Sequence, residues 1–160
     1  MYTAAVGELA AGEFELGTDG PKVILVGVDD TTTSLRAAAY AAGLARRQGA
    51  KVTVVFVAPV ASLGAATPGG AELVAVQRES VRQTADDLRR RVEEGSAYLG
   101  IPITFIVAEG DAYAEIRRIA DEIRADAVVV GASAKAGHRL IGSLAVRLVR
   151  AGRWPVTVVP

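Results

Sequence analysis

The chain has no cysteine and a single histidine, His138. The first absence excludes disulfides, thiolate nucleophiles and cysteine-ligated zinc or iron–sulfur centres. The second argues against a histidine-rich metal site or a Ser-His-Asp triad. Aromatic side chains are scarce, with three Phe, four Tyr and one Trp. A charge excess is missing too: 18 Lys and Arg balance 18 Asp and Glu, so neither nucleic acid nor an anionic membrane is the default partner. No apolar run approaches the roughly 20 residues that a bilayer-spanning helix needs. The first twenty residues carry Glu8, Glu13, Glu15 and Asp19 without Lys or Arg, which does not fit a secretory signal. Together these absences lead to the expectation of a soluble, cytoplasmic protein.

What the chain does have is Ala, Val and Leu in quantity, with 51% of 160 residues apolar. That length suits one domain with a sizeable core. Small and branched apolar residues suit helices packed closely on a sheet. Residues 1–20 show little periodicity beyond Glu13-Phe14-Glu15-Leu16 and read as an arm, flexible or laid as a strand on another surface. Gly20-Pro21 marks its end, and residues 21–160 read as the domain.

From Lys22 the pattern is regular. Val23 to Val28 is a continuous apolar run, as a strand buried on both faces requires. It stops at Asp29-Asp30, and Thr31-Thr32-Thr33-Ser34 offers several helix caps. Leu35, Ala38, Ala39, Ala42 and Ala45 recur at helical spacing until Gln48-Gly49. Residues 51–58 form a second strand, 59–70 a loop, and about 71–99 a long helix, irregular at Gly95. The apolar stripe of that helix is Leu73, Val76, Val81, Leu88 and Val92. A third strand covers 101–108, and Gly110-Asp111 turns into a helix carrying Ile116, Ile119, Ala120 and Ile123. Residues 127–130, about 142–151 and 156–159 complete a βαβαβαβαβ order. Single-helix crossovers make the sheet parallel, with helices on both faces.

In such a doubly wound α/β sheet, ligands sit beyond the carboxyl ends of the strands, where the winding reverses. No G-x-x-x-x-G-K-(S/T) and no post-strand G-x-G-x-x-G occurs there, so the usual P-loop and dinucleotide fingerprints are missing. The fourth strand runs instead into GASAKAGHRLIGS, residues 131–143. Gly131 permits a left-handed φ and close backbone approach to a ligand. Gly142 and Ser143 place N–H groups and a hydroxyl at a helix N-terminus, which favours anions. Lys135 and Arg139 add positive charge. A glycine-punctuated surface loop with solvated cations fits this spacing as well.

KVILVGVDDTTTSLRAAAYAAGLARRQGAKVTVVFVAP resembles the opening of the universal stress protein family. VAEGDAYAEIRRIADEIRADAVVVGAS and GSLAVRLVRAGRWPVTVVP are similar to its later segments, so the match spans about residues 22–160. The resemblance implies a five-stranded parallel sheet in the order 3-2-1-4-5. It also implies a homodimer paired through the strand Val156–Val159, and a regulatory or sensor role. Some members of the family bind ATP through a loop of the form G-x-x-G-x9-G-(S/T), and others bind no nucleotide. By similarity, Gly131 matches the first glycine of that loop, and Gly142 with Ser143 the last pair. Asp29, beside Gly27 and Val28, matches the carboxylate near the ribose, and Val57 the residue at the adenine edge. The implied nucleotide-binding set is Gly27, Val28, Asp29, Val57, Val130, Gly131, Ala134, Gly142, Ser143 and Leu144.

Two departures bear on the ligand. Ala134 stands where the second glycine is found, a cost on the order of 1 kcal/mol if φ there must be positive. The loop is also two residues shorter between Gly131 and Gly142 than that pattern, so fewer N–H groups can wrap a triphosphate. ATP, with or without Mg²⁺, and AMP or ADP all remain candidate cofactors. A nucleotide-free dimeric interaction module, with an unidentified protein partner, and a slow ATPase or autophosphorylating protein using Ser143 are the alternatives. No residue set supplies an evident general base and metal clamp for fast phosphoryl transfer.

Overall fold

In the computed structural model, residues 20–60, 70–133 and 142–160 are described. The proposed arm up to residue 19, the loop 61–69, and the segment 134–141 with Ala134, Lys135, His138 and Arg139 lie outside the described residues.

The elements alternate strictly. They are β1 (Val23–Val28), α1 (Thr32–Gln48), β2 (Lys51–Ala58), α2 (Gly70–Leu99), β3 (Ile103–Glu109), α3 (Ala112–Glu122), β4 (Ala127–Gly131), α4 (Ser143–Ala151) and β5 (Val156–Val159). The strands form one five-stranded sheet in the order β3-β2-β1-β4-β5. Every pairing is parallel, with Val23 opposite Lys51, Ile24 opposite Ala127, Val52 opposite Ile103 and Val128 opposite Val156. The winding therefore reverses between β1 and β4, as the α/β reading requires.

Alternation along β1 divides its side chains between two cores. Ile24, Val26 and Val28 pack on one face with Ala37, Ala41 and Ala45 of α1 and Leu88 of α2. Leu25 packs on the other with Ile116 and Ile119 of α3 and Leu148 of α4. Alanines on the inner face of α1 allow its backbone to lie close to the sheet. Thr31 caps this helix by accepting from the Ser34 N–H, and Gly49 ends it at φ 60°, a left-handed turn that glycine adopts without steric cost. At the amino ends of the strands, Asp126 Oδ2 accepts the Lys22 and Val23 N–H groups at 2.9 and 2.8 Å. That contact fixes where β1 enters beside β4.

Two expectations change. The third strand begins at Ile103 rather than at residue 101. Pro102, which has no N–H to give to the ladder, stays outside it and accepts the Val52 N–H through its carbonyl. Helix α2 continues as helix through Gly95, and its apolar stripe is only half used. Leu73 and Val76 are 73% and 68% exposed, while Ala85 and Leu88 are buried. Length explains this: thirty helical residues rise about 45 Å, whereas the seven residues of β3 span about 23 Å. The first half of α2 therefore reaches past the sheet.

The contrast is measurable in denaturant unfolding. Leu148→Ala, at a position with 0% exposure, is expected to cost about 2–5 kcal/mol. Leu73→Ala on the overhang is expected to change stability by less than about 0.5 kcal/mol.

Candidate functional site

A cavity of ≈ 400 Å³ opens at the carboxyl ends of β1, β2 and β4, the place where the topology leaves a crevice. The structure brings Gly27, Val28, Asp29, Val57 and Gly131 to its wall. Gly142, Ser143 and Leu144 reach it from the start of α4. Val130 is the exception among the described candidates. Its side chain is 2% exposed and belongs to the core between the sheet and α3–α4, so it is not part of the lining.

The glycines owe their places to crowding. A Cβ on Gly27 would sit 3.0 Å from Ile116 Cδ1, so glycine lets α3 close the floor of the cavity. A Cβ on Gly131 would lie 2.6 Å from the Thr33 carbonyl carbon and the Ser34 nitrogen. Gly131 is not among the residues with left-handed φ, contrary to the first of the two roles expected for it. The close approach is real, but it is to the first turn of α1 within the chain. Thr33 Oγ1 strengthens that approach by donating to the Ala132 carbonyl at 2.7 Å. A Cβ on Gly142 would meet Ser133 Cβ at 2.9 Å, so the two described ends of the 131–143 loop touch.

Asp29 follows β1 and is exposed. Its Oδ1 accepts the Thr31 N–H at 3.2 Å and the Thr31 hydroxyl at 2.6 Å. Asp29 thus braces the turn, and the helix cap itself is Thr31. The Asp29 N–H donates to Ser34 Oγ, which in turn donates to the Thr31 carbonyl. Both the turn and the hydroxyls around it are therefore held before any ligand arrives.

The three helices whose N-termini meet the site differ in one respect. Thr31 caps α1 with its side chain and Asp111 caps α3, accepting the Ala114 N–H at 2.9 Å. At α4 the cap position is Gly142, which makes no side-chain cap bond. Among the described residues, the first turn of α4 thus has no side-chain cap at its own cap position, unlike the other two helices. The Asp111 carboxyl is held below the usual aspartate range, first by the Arg147 guanidinium 3.1 Å away and then by the Ala114 N–H. Arg147 also lies 4.2 Å from the Tyr113 ring centroid, which ties α4 to the start of α3. Among the described lining residues Asp29 is the one charged side chain. An anion there would meet backbone dipoles and hydroxyls.

Thr31, Thr33, Ser34 and Ser133 also line the cavity. The first three are legible in the sequence only as helix caps, because a run of hydroxyls after a strand has that meaning anywhere. Their position at the switch point is the signal that gives them a second one. Ile116 and Ala112 enter the wall from α3, a contact across the sheet that no local pattern encodes. Trp154, just before the last strand, packs partly buried against the core on the α3–α4 face. Among the described residues no group of three His, Cys, Asp or Glu is arranged to hold a metal. No helix of the described residues is long and apolar enough to cross a membrane.

Comparison with known proteins gives a consistent result. The universal stress protein MJ0531 of Methanocaldococcus jannaschii is 29% identical over 141 residues, covering 86% of this chain and 81% of that protein. Among solved structures, UspA of Lactobacillus plantarum superposes with a TM-score of 0.73 at 22% identity, covering 87% of this chain and 97% of its own. A universal stress protein in complex with cAMP gives 0.66 at 22% identity, covering 88% and 97%. One from Archaeoglobus fulgidus in complex with dAMP gives 0.59 at 23% identity, covering 86% and 96%. At these identities the solved structures speak to the fold. The family model for the universal stress protein family matches residues 21–160, nearly the whole chain, and the chain belongs to that family.

Proposed function

We propose that this chain binds an adenine nucleotide at the carboxyl end of its sheet and acts as a cytoplasmic regulator or sensor. The observation that carries the reading is the cavity at the β1–β4 switch point, into which α4 opens with no side-chain cap at Gly142. A phosphate is the natural partner for those N–H groups, and Ser143 would add a hydroxyl. Asp29 stands at the β1 side of the same cavity, where its second carboxylate oxygen can accept from ribose hydroxyls. Val57, half-buried at the end of β2, lies on the side that would receive the base. The cavity volume of ≈ 400 Å³ falls within the range of small-molecule sites.

Two structural neighbours are complexes with cAMP and dAMP, which supports an adenine ligand of one phosphate. The loop between Gly131 and Gly142, two residues shorter than the ATP-wrapping pattern, favours the same choice: AMP or ADP over ATP. A magnesium ion would accompany the longer phosphate tails. Regulation suits the site better than fast turnover, since Asp29 is already engaged with Thr31 and no other carboxylate lines the described wall. The rival readings are an interaction module without nucleotide and a slow phosphotransfer at Ser143.

Calorimetric titration of AMP, ADP and ATP with Mg²⁺ is the test. AMP or ADP is expected to bind, and Asp29→Ala to weaken binding at least tenfold. Absence of heat and of competition with a fluorescent adenine analogue would leave the nucleotide-free module as the better account.

The reading includes a homodimer through β5. Among the described residues that strand pairs with β4 alone, and an unpaired apolar edge favours pairing with a second copy. The carbonyls of Pro155 and Val159 bond toward β4, so the N–H and C=O of Val158 face outward. Val158→Pro removes an outward donor that the described sheet does not use. In sedimentation experiments it is expected to convert a dimer to a monomer with the far-ultraviolet spectrum retained. A variant that stays dimeric would place the contact elsewhere.

A further inference from the structure

The turn that carries Asp29 contains an unexplained side chain. Asp30 has φ 61°, in the left-handed region that strains a side-chain-bearing residue and that glycine occupies freely. Backbone geometry alone would select glycine there. Aspartate is tolerated at such positions better than most residues, but tolerance does not account for its presence. Its carboxylate has a specific partner: Oδ1 accepts from Arg91 Nη1 at 3.2 Å. Arg91 lies 61 residues further on, on α2, an element that contributes no residue to the described lining of the cavity.

We infer that Arg91 is a positioning residue for the nucleotide cavity, acting through Asp30. Held from α2, the Asp30 carboxylate fixes the left-handed step between β1 and α1. That step turns the chain so that Asp29 folds back on Thr31, with bonds of 3.2 and 2.6 Å to its N–H and hydroxyl. The hold keeps Asp29 in that bend, with Oδ1 committed to Thr31. Arg91 has a second effect of the same sign. Asp29 and Asp30 are adjacent carboxylates on the rim of a site read here as binding a phosphate ester. The guanidinium neutralises one of them, so an incoming anion meets less repulsion. The pair thus links the second half of α2, the half that packs on the sheet, to the turn beside the site.

This inference rests on the nucleotide reading for its consequence, but not for its geometry, and the experiment separates the two. The variants are Arg91→Met, Arg91→Lys, Asp30→Gly and the double variant Asp30→Gly/Arg91→Met. The first readout is amide exchange of Thr31 by NMR in ligand-free protein. The second is the dissociation constant for AMP, and thermal unfolding serves as a control. The Asp30–Arg91 pair is about half exposed on both sides, at 46% and 51%, so its removal is expected to leave the unfolding midpoint nearly unchanged. Arg91→Met is expected to speed Thr31 exchange and to weaken AMP about threefold, and Arg91→Lys to restore most of both. In the Asp30→Gly background, where the turn has no carboxylate to anchor, Arg91→Met is expected to do nothing further. An unchanged Thr31 amide in Arg91→Met overturns the inference, whether or not AMP binds. Equal effects of Arg91→Met in the wild-type and Asp30→Gly backgrounds overturn it as well. If Thr31 responds as expected but the wild type binds no AMP, the hold on the turn is established and the nucleotide reading is the part that fails.

Discussion

The first turn of α1 lies against the end of β4 with no space for a side chain between them, and the cavity takes its shape from that contact. A methyl group on Gly131 would overlap the backbone at Thr33 and Ser34. Thr33 closes the same contact by hydrogen bonding to Ala132. Because β1 and β4 are neighbours, fixing the top of one against the helix that follows the other brings two chain reversals together. One is the turn from Asp29 to Ser34. The other is the pair of loop ends at Ser133 and Gly142, which also tolerate nothing larger than glycine at one partner. The crevice between these reversals is therefore a packing result, present without a ligand.

Electrostatics then decide what the crevice suits. Its described wall carries one charge, at Asp29, and that charge is occupied on one oxygen by Thr31. Positive potential comes from the backbone at the start of α4, where glycine replaces the capping side chain found at α1 and α3. Among the described residues, the missing side-chain cap at Gly142, where the neighbouring helices have one, is the asymmetry that supports the proposed phosphate site. The Arg147–Asp111 pair and the Arg147–Tyr113 contact hold α4 in place from its outer side. They set where the open end points.

Much of this is legible in the sequence, for identifiable reasons. Strands buried on both faces read as unbroken apolar runs, so Val23–Val28 and Val54–Ala58 stand out. Glycine stops after α1 and α4 mark the helix ends, and the strand order follows from the resemblance rather than from periodicity. The long helix is the weak point. Leu73 and Val76 continue an apolar pattern that the sheet is too short to cover, and a hydrophobic pattern carries no information about the length of its partner. Gly131 reads in the sequence as a place where backbone approaches a ligand closely, yet the group that crowds it is Thr33 of α1. Thr31, Thr33, Ser34 and Ser133 do not read as wall residues because short hydroxyl residues cap helices everywhere. The pairing of Asp30 with Arg91 spans an intervening strand and helix, and nothing local in either stretch encodes it. Val130 belongs to the set that the resemblance implies, and strand alternation turns its side chain into the core.

In the proposed function the start of α4, with no side-chain cap at Gly142, receives the phosphate of an adenine nucleotide. This is tested most directly by following backbone amide resonances while AMP is titrated into isotopically labelled protein. The account predicts the largest downfield proton shifts at Ser143 and Leu144, saturating with the same dissociation constant as changes at the Asp29–Thr31 turn. Saturable AMP binding that leaves Ser143 and Leu144 unmoved would contradict it.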